Sequence, residues 1–197
     1  MVLRKIMICL MAGLFVFSSG CKKDAGSYDQ NAVVLSDDGS IEEKCVLELG
    51  EYGDTEKVDA FITESLKEIN AGITEEKDLP VTAEKAERTE NTVSVVLKYK
   101  APEYYERLNN ITFKVLEFSG DALTEAAGDL ELKTRDGRTF GISEIESPED
   151  CRIVVFAPES EYILKTPGDI AAYSGNAVLL EDDEALINGY SVIIYEN

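Results

Sequence analysis

The chain has no histidine and no tryptophan, only four cysteines and five prolines in 197 residues, and 19 basic residues against 39 acidic ones. Each shortage excludes something. Without histidine, the commonest general base, metal ligand and triad member is missing. Serine–lysine hydrolysis needs a Ser-x-x-Lys helical turn, and no lysine after Lys23 has a serine three residues before it. No glycine-rich phosphate loop follows a strand pattern, so nucleotide cofactors have no cradle. The absent tryptophan removes the best ring for stacking on sugars, and nothing singles out a pair among the many carboxylates for glycoside hydrolysis. A formal charge of −20 argues against nucleic acid, where each phosphate contact draws on lysine or arginine. No apolar run reaches the roughly 18 to 20 residues that span a bilayer as a helix.

What is present starts at the N-terminus. Arg4 and Lys5 precede an apolar run from Ile6 to Phe17, then Ser18-Ser19-Gly20-Cys21. The run is too short to cross hydrocarbon and reads as an export signal over residues 1–20. Small residues before Cys21 admit a peptidase, and the Cys21 thiol is the expected lipidation site, although Ser18 stands where an aliphatic residue is usual. Two acyl chains anchor a protein stably where one does not. The expected address is therefore the outer face of the bacterial cytoplasmic membrane, with the chain anchored rather than spanning. Removing residues 1–20 takes two basic residues and no acid, so the exported chain is more acidic still. This charge repels an anionic lipid surface except near Lys22 and Lys23, so bilayer contact is expected to be confined to the tether.

Residues 21–30 (CKKDAGSYDQ) are polar with Gly and Ser and read as a flexible tether, leaving residues 31–197 as a single domain. An apolar content of 44% suffices for a core. Asp38-Gly39 between Ala32 to Leu35 and Ile41 to Leu49 signals a hairpin. From Asp54 as N-cap, Val58, Phe61, Ile62, Leu66 and Ile69 recur at helical spacing, predicting an amphipathic helix over about 54–70. Val81 to Arg88 and Val93 to Lys100 read as strands, the second with one face largely wet. Pro102 opens a short helix ending at Asn109-Asn110, Ile111 to Phe118 returns as a strand, and Asp121 to Ala127 holds one or two helical turns. Asp136-Gly137 marks a second hairpin between Leu130 to Thr134 and Thr139 to Ile142. Arg152 to Phe156, Ile170 to Tyr173, Ala177 to Leu180 and Tyr190 to Tyr195 complete the strands. The fold class is α+β: a mainly antiparallel sheet, one amphipathic helix and one or two short ones.

Two cysteines remain beyond the anchor. Alternation places Cys45 with Ile41, Leu47 and Leu49, and Cys151 with Ile153 and Val155, so both face inward. They either form one disulfide or serve as small buried hydrophobes. Glu181-Asp182-Asp183-Glu184 and Asp37-Asp38 carry hard oxygen ligands without the spacing of a calcium loop, and read as solvated acidic runs. No metal-ligand set, cofactor motif or catalytic residue emerges. Tyr104, Tyr105, Tyr162 and Tyr173 are either core-edge residues or an exposed aromatic contact surface.

The order Asp38-Gly39-Ser40-Ile41, the helix with Phe61-Ile62 ending in Ile69-Asn70, and VSVVLKYKAPEYYERLNN from Val93 to Asn110 resemble a family of small lipoproteins from Gram-positive anaerobic bacteria. The likeness runs from the signal cysteine through most of the chain and includes Tyr99-Lys100 with Tyr105. It implies location and fold and names no reaction. The expected activity is non-enzymatic binding of a protein, peptide or other extracellular ligand. An envelope assembly factor and, further off, a carboxylate hydrolase are the alternatives.

Overall fold

The computed structural model describes residues 24–48, 80–88, 92–141, 145 and 148–196, together with residues 60, 63, 64, 66, 67, 70 and 71. The signal, Cys21, Lys22 and Lys23 lie outside the described residues. Among the described residues twelve strands form two sheets. The strands are β1 (Ala32–Leu35), β2 (Ile41–Glu48), β3 (Val81–Arg88), β4 (Thr92–Tyr99), β5 (Thr112–Glu117), β6 (Leu132–Thr134), β7 (Cys151–Ala157), β8 (Tyr162–Lys165), β9 (Asp169–Ser174), β10 (Ala177–Glu181), β11 (Glu184–Ile187) and β12 (Ser191–Glu196). The first sheet has the order β10-β11-β8-β1-β2-β4-β3, the second β5-β7-β12-β9-β6. Among the described residues the only parallel pairing joins β1 to β8; the rest are antiparallel. The α+β, mainly antiparallel reading is thus what the chain adopts.

The two sheets share a core. Val33, Leu35, Ile41, Val81, Tyr99, Leu164, Ala185 and Ile187 of the first meet Phe113, Val154, Phe156, Ile170, Ile193 and Tyr195 of the second. Period-two alternation makes this interface, because each strand commits every second residue to one face. Burying each such large side chain contributes about 1.5–3 kcal/mol. β7 and β12 are apolar on both faces. Their far side, with Ile153, Val155, Val192 and Ile194, packs on Leu123, Ala126, Leu132 and Ile145. A continuous apolar run marks a strand covered on both sides.

Among the described residues two helices are complete, one contributing Tyr105 to the inter-sheet core and one covering the far face of the second sheet. α1 (Pro102–Asn109) starts with proline as its first residue and stops at Asn110, whose φ of 53° is left-handed. α2 (Gly120–Ala127) is capped by Ser119, whose hydroxyl accepts from Ala122 N at 3.0 Å. Of the amphipathic helix, residues 60, 63, 64, 66, 67, 70 and 71 are helical, whereas Asp54, Val58, Phe61, Ile62 and Ile69 lie outside the described residues. Asn70 ties its end to β3: its amide donates to Val81 O at 2.8 Å and accepts from Val81 N at 3.1 Å, imitating a strand neighbour.

Several expectations need correction. Residues 24–30 are not a free tether. A 3-10 turn at Ala25–Ser27 lays them on the outer face of the first sheet, where Ala25 is fully buried and Tyr28 is 6% exposed. Folded structure is therefore already present at Asp24, ahead of Asn31. For the same reason the outer face of β4 is not wet throughout, since Val96 is buried beneath this segment. β8 and β11 escaped the sequence reading because four residues are too few to show a period. The second Asp-Gly hairpin keeps its turn, with Gly137 at φ 80°, but its return arm pairs through a single bridge between Lys133 and Thr139.

Candidate functional site

Polar groups concentrate at two places, one on each face of the seven-stranded sheet. The first lies inside. On β2 the series Ile41, Glu43, Cys45 points into the core, so alternation delivers a carboxylate between the sheets, and Glu43 is only 1% exposed. Its neighbours supply donors. The Tyr99 hydroxyl on β4 donates to Glu43 Oε2 at 2.5 Å, and the Tyr162 hydroxyl on β8 donates to Oε1 at 3.2 Å. Asn109, at the end of α1, donates from Nδ2 to Oε2 and to the Tyr99 hydroxyl, each at 3.4 Å. The Cys45 thiol is hydrogen-bonded into the same group.

Around it runs a chain of edge-to-face rings: Tyr99 to Tyr105 at 5.1 Å, Tyr105 to Phe113 at 4.9 Å, Phe113 to Phe156 at 5.1 Å and Phe156 to Tyr162 at 5.8 Å. The Tyr105 hydroxyl is the one buried side-chain polar atom among the described residues with no partner. Burial raises the Glu43 pKa above the ordinary carboxylate value, and the tyrosine, cysteine and asparagine hydrogen bonds offset this only in part. Burial and then the Glu43 charge push the Cys45 thiol and the Tyr99 hydroxyl well up. Such a group holds protons tightly. Glu43, Tyr99 and Tyr162 are buried between the sheets, and their hydrogen bonds with Asn109 lock β2, β4, β8 and α1 together.

The second group lies on the outer face. Carboxylate oxygens of Glu181, Asp183 and Glu184 come within 4.8 Å of one another at the turn between β10 and β11. Hard oxygen ligands in that arrangement suit a cation. Lys165 on β8 supplies the positive charge itself, with its ammonium bonded to Asp183 and 3.5 Å from Glu184 Oε1. The Tyr28 hydroxyl donates to Glu184 Oε1 at 2.7 Å, and burial with that contact raises the Tyr28 pKa. Glu184, 3% exposed, is no part of a solvated run as its sequence neighbours suggested. Lys44 completes the attachment of the N-terminal segment, donating to Gly26 O at 3.1 Å and to Tyr28 O.

The expected site residues fare unevenly. Cys21 lies outside the described residues. Cys45 and Cys151 form no disulfide. Cys45 faces the inter-sheet core, while Cys151 sits in the cluster on the α2 side of the second sheet, so two inward-facing thiols point into different cores. Tyr105 and Tyr162 are core residues, not an exposed contact surface. Glu43 was missed although its signal was present: it shares parity with Ile41 and Cys45. Tyr28 had no local signal, because its partner lies 156 residues away.

No family model, curated protein or solved structure matches the chain.

Proposed function

We propose that the protein is an extracytoplasmic lipoprotein, anchored through Cys21 at the outer face of the bacterial cytoplasmic membrane, and that its domain is a non-enzymatic binding module for a protein or peptide partner. One observation carries this: the export pattern ends at Cys21, and within three residues the chain becomes an integral part of the sheet surface, as an anchor segment built into its domain would. The burial of Glu43, Tyr99 and Tyr162, whose hydrogen bonds tie strands together, supports a structural rather than a catalytic role for this group. The likeness to small lipoproteins of Gram-positive anaerobes accords with the same address.

Intact mass and crosslinking of the protein purified from its native membrane test the proposal. Two acyl chains on Cys21, loss of membrane association in Cys21→Ala and one dominant soluble or surface partner are expected. An unmodified Cys21 overturns the location, and turnover of a carbohydrate or peptide by the purified domain overturns the non-enzymatic role. A stoichiometric integral membrane partner redirects the reading to an envelope assembly factor.

A further inference from the structure

We infer that the outer face of the seven-stranded sheet is the surface this protein turns toward the lipid bilayer, an inference that rests on the proposed acylation of Cys21. The leash is the first ground. Asp24–Tyr28 lies across this face, with the Ala25 amide donating to Glu42 Oε2 at 3.4 Å and Lys44 holding the Gly26 and Tyr28 carbonyls. The seat is close: a Cβ on Gly26 would come within 3.7 Å of Val96 Cγ2 and 3.3 Å of Asp24 Oδ1. Only Cys21, Lys22 and Lys23 separate the lipid from Asp24, and three extended residues reach about 11 Å at most. An acylated Cys21 therefore keeps this face close to the headgroups.

The second ground is the chemistry of the face. Beyond Tyr28, on β10 and β11, Leu180 and Leu186 are half-buried and Val178, paired with Leu186, is 58% exposed. Together they form an apolar shoulder of the kind that enters the headgroup boundary by about 5–10 Å. Three acids here have lysine partners, Glu42 with Lys98 at 4.0 Å and Asp183 and Glu184 with Lys165, while Asp24 and Asp29 of the N-terminal segment are exposed. The opposite side of the molecule, around α2, exposes Asp121, Glu125 and Asp129, which an anionic leaflet repels. In a strongly acidic protein, the face with countercharges, an apolar shoulder and the anchor segment is the one that approaches lipid at least cost.

Absence of tryptophan makes the test direct, because a single introduced indole is the only one present. The lipidated full-length protein carrying Val178→Trp or Glu125→Trp is bound to vesicles of phosphatidylcholine and phosphatidylglycerol containing acyl-brominated lipid. Val178→Trp should be strongly quenched and blue-shifted, at a depth of about 5–10 Å from the headgroup boundary, while Glu125→Trp keeps its fluorescence in water. A Gly-Ser insertion of about twelve residues between Lys23 and Asp24 adds about 20 Å of reach and should reduce the Val178→Trp quenching while flotation persists. Equal quenching of the two indoles on protein that floats with the vesicles overturns the orientation and leaves the anchor intact. Failure to float, with Cys21 unmodified by mass, overturns the anchor and the orientation with it.

Discussion

Glu43 and Glu184 sit on opposite faces of one sheet, both nearly sealed from water and both accepting a hydrogen bond from a tyrosine, yet among the described residues only Glu184 has a cation beside it. The difference follows from what each face meets. Between two sheets, the space around Glu43 is filled by rings, and an ammonium there would lose its own hydration. Hydroxyl, thiol and amide donors satisfy the carboxyl group instead, and it holds its proton to higher pH. On the outer face the Lys165 side chain is 15% exposed, so its ammonium reaches Glu184 without being fully stripped of water. The interior acid fastens strands, and the outer acid fastens the N-terminal segment.

Removing the interior acceptor should have the largest effect. Glu43→Ala leaves the Tyr99, Tyr162 and Asn109 donors facing a cavity, and urea denaturation should show a loss of about 3–5 kcal/mol. Retained wild-type stability would mean that the tyrosines find other acceptors. Next, Lys165→Met strands Asp183 and Glu184 beside each other. Breaking a buried pair costs about 3–5 kcal/mol, and partial exposure of Asp183 should lower this to about 2–3 kcal/mol, with faster proteolysis near Tyr28 as the local readout.

Glu43→Gln sharpens the contrast through pH. Because the folded-state pKa of Glu43 is raised, its contribution to stability is complete below the unfolded carboxylate pKa of about 4.3. That contribution is lost as pH rises toward the folded value, at about 1.4 kcal/mol for each pH unit climbed between the two. Wild-type urea midpoints should therefore fall more steeply than those of Glu43→Gln as pH rises above the unfolded carboxylate value, the general repulsion among acids being common to both. Parallel slopes would show that Glu43 does not titrate in this way. The smallest effect belongs to Tyr105→Phe, which deletes a hydroxyl without a partner while keeping the ring, and should be neutral or stabilising by up to about 1 kcal/mol in thermal unfolding.

Much of the fold was legible where the cause is local. Asp38-Gly39 gives a turn because Gly39 adopts φ of 80°, and Pro102 sets a helix start through backbone chemistry confined to a few residues, whereas the Ser119 cap of α2 was not read. The long strands declared themselves by alternation. β8 and β11 did not, because Tyr162–Lys165 and Glu184–Ile187 are defined by their partners across the sheet. The interior site was half legible: parity put Glu43 inward, but the tyrosines that satisfy it come from β4 and β8, 56 and 119 residues away. Residues 24–30 were misread because a short polar Gly/Ser stretch has the composition of a linker, and only the apolar outer face beneath Ala25 and Tyr28 makes it a cover.

By itself the sequence determined the acidic balance, the Asp-Gly turns, the proline start of α1 and the long alternating strands, all of which depend on neighbours in the chain. Tertiary structure alone decided that β1 lies parallel to β8, that Cys45 and Cys151 enter separate cores, that Glu184 meets a lysine and Glu43 does not, and that the chain after Lys23 is held against the sheet. Those outcomes depend on desolvation and packing between distant segments, which exist only once the two sheets have closed on each other.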